Sequence, residues 1–161
     1  MAYLEKFITR TAHELDRIAQ WALVIMMGLI VINIILRFVW RPILGVYEFV
    51  SFLGAIVISF ALAYCALKKG HIAVNLLVDR LPKRSQALID SIIGIISLVL
   101  FGFATWQLAV YATDILISGE VSATTKTPFY PFVYGVAVGL LALCLVLMID
   151  VARSILKVTG K

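Results

Sequence analysis

Four apolar stretches, at about residues 18–36, 46–67, 87–111 and 129–151, fill most of this chain. Each is near the ~20 residues an α-helix needs to cross the hydrocarbon core of a bilayer. Inside lipid every backbone N–H and C=O must find a partner within the fold, and for runs of this length a helix is the form that provides it. The expected fold is therefore all-α: a polytopic membrane protein with a single four-helix transmembrane domain over residues 1–161. Composition agrees, since 63% of the 161 residues are hydrophobic and 14% charged, with a mean hydropathy of +1.06. A soluble domain has roughly 45–50% and 25%. Four spans and their connections use the length, so no second, soluble domain is expected.

The net charge of +5 raises nucleic acid as a partner, but the distribution of the charge excludes it. With four spans, both termini and the middle connection share one side. That side carries Lys6, Arg10, Arg17, Lys68, Lys69, Arg80, Lys83, Arg84, Arg153, Lys157 and Lys161; the other has Arg37, Arg41 and Lys126. Basic residues collect on the cytoplasmic side of membrane proteins, so both termini are expected there. The first 17 residues include Glu5, Glu14 and Asp16, and the apolar run after them is too long for a secretory signal. Cys65 and Cys144 both lie in apolar runs and read as small buried hydrophobes, without disulfide or metal spacing.

Local signals place the ends of the helices. Residues 3–10 put Leu4, Phe7 and Ile8 at helical spacing, which predicts a short amphipathic segment in the membrane interface, with a frayed tail as the alternative. Thr11-Ala12-His13-Glu14 matches a capping box and predicts that the first spanning helix starts there. Pro42 ends it. His71, Asn75 and Asp79 recur every four residues in apolar surroundings, so residues 72–81, too short to span, are expected to form a second interfacial segment or an extension of a spanning helix that packs on protein. After Tyr111 a polar loop is expected through Asp114, Glu120 and Lys126, with Thr127 capping the fourth helix and Pro128 at its first position.

No residue pattern supports catalysis. There is no Ser/His/Asp or Cys/His arrangement, no phosphate-binding glycine loop and no HExxH, and neither His13 nor His71 lies inside a span where it would ligate haem. Asparagine makes the His71/Asn75/Asp79 stripe a poor transition-metal site. No catalytic, cofactor-binding or metal-ligating residue is expected. The middles of the spans also lack Asp, Glu, Lys and Arg, the groups that mark ion and substrate paths in membranes. What remains is packing. Ser51, Ala55, Ser59 and Ala63 recur every four residues with Gly54 alongside, Gly94 and Gly102 share a face, and Gly135 and Gly139 form a Gly-x-x-x-Gly pair. Small residues at this spacing let helices approach closely, within the protein or against a partner. Arg37 and Glu48 lie at similar depth in one hairpin and are expected to pair, as an internal clamp or as a link to a partner.

Several of these residues, taken in order, resemble a known family. The run Asn33-Ile-Ile-Leu-Arg37-Phe-Val39, then Glu48, Phe52-Leu-Gly-Ala55, Lys69-Gly70-His71-Ile72 with Val74, Leu81-Pro82, and finally Phe129-Tyr130-Pro131-Phe132 with Gly139, is similar to the small Q-type (DctQ-like) membrane subunit of TRAP transporters. Val46-Tyr47 and Phe49 flank Glu48 where that family often has a tryptophan and a second acidic residue. The resemblance implies a bacterial inner-membrane scaffold subunit without a cofactor. It would lie in membrane lipid beside a large elevator-type subunit and receive a periplasmic binding protein, in sodium-driven uptake of organic acids. Arg37, Glu48, His71 and the small-residue faces are then candidate contacts between subunits, and Glu120 and Lys126 candidates for docking the binding protein, with a plain solvated loop as the alternative. A small carrier acting alone and the membrane anchor of a redox enzyme are the alternatives. The topology predicts that alkaline phosphatase fused after Ser122 is active in cells; an inactive fusion there would overturn the orientation.

Overall fold

A helix continues until something stops it, and between Ala2 and Val39 there is no proline and only one glycine, Gly28. The computed structural model describes residues 2–39, 41–68 and 83–158, and the side chains of 7–39, 41–68, 89 and 91–152. The described residues form four helices: α1 Ala2–Val39, α2 Val46–Leu67, α3 Lys83–Ser118 and α4 Tyr130–Val158. All four are long and apolar enough to cross a membrane, over Phe7–Val39, Val46–Leu67, Ser91–Ser118 and Tyr130–Ala152. The expected interfacial segment at 72–81, His71 and the Asn75/Asp79 stripe lie outside the described residues.

Three helix ends differ from the sequence reading. Residues 3–10 are not set off from the first span, because Thr11 does not cap. Its Oγ1 donates to the Phe7 carbonyl (3.0 Å) inside an unbroken helix, as a mid-helix threonine does. The third helix runs seven residues past Tyr111 to Ser118, taking Asp114 into the helix. It stops at Gly119, whose φ of +66° admits the left-handed C-terminal turn, closed by Glu120 N–H donating to the Ile115 carbonyl (3.3 Å). The fourth helix starts after Phe129, whose carbonyl accepts from Phe132 (3.1 Å) and Val133 (3.3 Å). The proline in its first turn is therefore Pro131, and Thr127 and Pro128 belong to the loop before it.

Helix α4 packs on α3 along one side and on α2 along the other; α2 also packs on α1, and α1 touches α4 less extensively. The α1–α2 and α3–α4 connections meet at one end of the molecule, called here the loop end. The main core lies toward the opposite, terminal end: Ala12 of α1, Ala63 and Ala66 of α2, and Leu140, Leu143, Val146 and Leu147 of α4, joined by Leu98, Phe101 and Leu108 of α3. Much of the remaining apolar surface, including Trp21, Ile25, Ile96 and Phe103, is exposed. A soluble chain would not tolerate that surface, but the bilayer accepts it.

The close approach of α2 and α4 depends on Gly139. A Cβ there would lie 2.8 Å from Phe60 Cδ1 and 2.9 Å from the backbone carbon of Ser59, while one at Gly135 would meet Ile56 at 3.6 Å. Gly94 gives α3 the same access to Val151 of α4, at 2.6 Å. Gly102 and Gly28 face open space. Gly139→Ala should therefore lower the thermal stability of the purified protein by about 1–3 kcal/mol through overpacking. Gly102→Ala should be neutral or raise it by about 0.5–1 kcal/mol. Equal effects of the two substitutions in a detergent melting experiment would refute this account of the contact.

Candidate functional site

The loop end holds the densest polar network among the described side chains, and it forms around one carboxylate. Pro42 stops α1, and the chain turns through Leu44 and Gly45 into α2. Asn33, buried on α1, accepts the Ile43 N–H through Oδ1 (2.9 Å) and fixes this turn. Gly45 has φ +85°, and a Cβ there would lie 2.0 Å from Thr125 Cγ2, so both the backbone and the space require glycine. Its carbonyl accepts from Glu48 (3.0 Å) and Phe49 (3.2 Å), starting α2 with Glu48 in the first turn.

The α3–α4 loop closes on itself. Val121 and Pro128 form an antiparallel bridge, Ser122 N–H donates to Thr127 O (3.0 Å), and Lys126 N–H donates to Ser122 O (3.1 Å) with Lys126 in the left-handed region at φ +53°. That turn points two successive N–H groups at the half-buried Glu48. Thr124 N–H donates to Oε1 (3.0 Å); Thr125 N–H (3.2 Å) and Thr125 Oγ1 (2.8 Å) donate to Oε2. The Ser122 side chain bonds the same carboxylate, and Thr127 Oγ1 bonds Thr125 Oγ1. A ring of donors around an acceptor-only carboxylate is a satisfied arrangement. One helical turn along α2, Phe52 stacks on Phe132 (4.8 Å between centroids) and Phe129 (6.1 Å) of α4, so polar and aromatic contacts join the two connections side by side.

The expected Arg37–Glu48 pair does not form. Arg37, in the last turn of α1, is exposed, and among the described residues it makes no ion pair. Glu48 instead lies on the α2 face it shares with Phe52, which is turned to the loop and α4. A signal for the true partners stood in the sequence: Ser122, Thr124, Thr125 and Thr127 put four hydroxyls into six residues between two apolar spans. Glu120 and Lys126 are exposed on this loop. Of the small-residue stripe, Ser59 and Ala63 are buried while Ser51 and Ala55 are exposed, because a four-residue step drifts by about 40° on a 3.6-residue helix. A Cβ at Gly54 would meet Met26 Sδ of α1 at 4.0 Å.

These features define a multi-pass membrane protein whose helices fasten to one another at one end. The polar network around Glu48 serves the fold, and no three His, Cys, Asp or Glu side chains converge among the described residues. Over residues 26–157 the chain matches the family model described as tripartite ATP-independent periplasmic transporters, DctQ component. It belongs to that family, the small membrane component of TRAP transporters, and is thus a transporter component, not a member of an enzyme family. No curated protein and no solved structure matches it.

If Glu48 holds the loop, Glu48→Ala should speed tryptic cleavage after Lys126. Glu48→Gln should do nearly the same, because its NH2 would face donors. Cleavage at the wild-type rate in both variants would show that the loop keeps its shape without the carboxylate.

Proposed function

We propose that this chain is the stationary scaffold subunit of a bacterial inner-membrane TRAP transporter. It pairs with a large elevator-type membrane subunit and, through a periplasmic binding protein, serves sodium-driven uptake of organic acids. The observation that carries the reading is the family match joined to the chemistry of the spans. An elevator moves charged substrate and ions past a fixed frame, and the middles of these four spans offer no Asp, Glu, Lys or Arg to hold either. The excess of basic residues beside the termini supports a cytoplasmic location for both and, with it, a periplasmic loop end. There the loop held by Glu48 presents Glu120 and Lys126 in a fixed geometry to the binding protein. An interfacial segment near 72–81 is proposed to hold the tilt of the frame at the cytoplasmic surface.

Coexpression and reconstitution test this directly. A large membrane subunit should copurify with the chain, and sodium-dependent uptake in liposomes should need both membrane subunits and the binding protein. Uptake by this chain alone would make it a carrier, and haem absorbance in the purified complex would make it a redox anchor; either result overturns the proposal. In the same liposomes Glu120→Lys and Lys126→Glu should raise the binding-protein concentration needed for half-maximal uptake and leave the maximal rate intact, since rim charges act mainly on association. An unchanged requirement would remove the loop from the docking surface.

A further inference from the structure

Among the described residues, helix α3 is an edge of the molecule. It packs against α4, and none of its most apolar window is buried, against 39% for α4. Lipid alone would account for an apolar edge, but this edge is not wholly apolar. Phe103, Gln107, Val110 and Asp114 are spaced four, three and four residues apart, so they line one face. That face lies opposite Leu98, Phe101 and Leu108, which meet the core. All four are exposed, and neither Gln107 nor Asp114 makes a hydrogen bond or ion pair among the described residues.

Their depth follows from the antiparallel contact with α4. Gly94 meets Val151, and Thr105 Oγ1 meets Cys144 Sγ (3.8 Å). Gln107, two residues past Thr105, is therefore within a turn of the level of Leu141, the midpoint of the Tyr130–Ala152 span. Asp114 lies about 10 Å nearer the loop end. Threonines on the same helix satisfy themselves locally: Thr105 donates to Phe101 O (2.7 Å) and Thr113 to Ala109 O (3.2 Å). In hydrocarbon an unpaired amide and carboxyl at these depths are both costly. The outward face of α1, the other edge, carries Ile25, Val31 and Ile35 and makes no such demand.

We propose that this face of α3 is the contact with the larger membrane subunit, whose facing helix supplies a hydrogen-bond donor opposite Gln107 and a cation or donor opposite Asp114. The inference rests on the pairing proposed above and names the surface. A second copy of this chain fits less well, because a two-fold axis along the membrane normal would set Asp114 against Asp114.

The test places photoreactive p-benzoylphenylalanine at Phe103, or at Val31 as a control, in the full chain coexpressed with its large subunit. Irradiation should join the large subunit to the Phe103 probe and not to the Val31 probe. Gln107→Leu should reduce the large subunit retained on purification by about three-fold, the scale of one polar contact between membrane helices. An intact complex with only lipid adducts at Phe103, adducts at Val31 instead, a dimer-sized adduct of this chain, or unchanged retention in Gln107→Leu would each overturn the assignment. If no large subunit copurifies with the wild-type chain, the pairing itself fails, and that result is distinct from these.

Discussion

In a bilayer, helices gain little by hiding apolar side chains from one another, so they stay together only where their surfaces come close or share polar contacts. In this chain the decisive approach is at Gly139, where α4 lies against the backbone of Ser59. From that contact α2 carries α1 and α4 carries α3, and alanines at positions 12, 63 and 66 keep the neighbouring surfaces shallow. The Gly-x-x-x-Gly pair is thus spent within the molecule. It leaves the outward surfaces of α1 and α3 for lipid and for a partner.

The second constraint acts across sequence. Glu48 begins α2, and the groups that hold it begin seventy-four residues later at Ser122. The carboxylate gives the α3–α4 loop its shape, and the loop removes the cost of a carboxylate at the edge of the bilayer. Gly45 makes this possible, since any side chain there would occupy the space taken by Thr125. Stacking of Phe52 on Phe132 continues the junction into the apolar layer. In the scaffold role proposed above the subunit would have to resist shear, and paired polar and aromatic contacts at one end resist it better than lipid-facing aliphatic surfaces do.

Much of the fold was legible because membrane insertion depends on a one-dimensional quantity, runs of apolar residues. The second helix forms over its expected bounds, 46–67, with Gly45 before it and Lys68 after it. The ends of the others were less visible. Thr11 carries a cap signal, but capping competes with continuation, and an uninterrupted run of helix formers favours continuation. Asp114 looked like loop because it is charged, yet Gly119 supplies the stop and Asp114 does not. The Glu48 clamp was half legible. The need for a partner was evident, but Arg37 is the obvious choice only when distance along the chain stands in for direction, and the direction of a side chain is set by packing. The family resemblance read from scattered residues between Asn33 and Gly139 agrees with the family match over 26–157.

The unbroken first helix has a mechanical consequence. Its 38 residues reach ~57 Å at 1.5 Å per residue, about twice the ~30 Å hydrocarbon core. Tilts of membrane helices rarely exceed about 40°, so more than a quarter of its length has to stand outside the apolar layer. Because no hinge separates that part from the span, it is a lever: rocking the subunit by about 10° moves the protruding end by about 3–5 Å, a displacement that anything bound there would register.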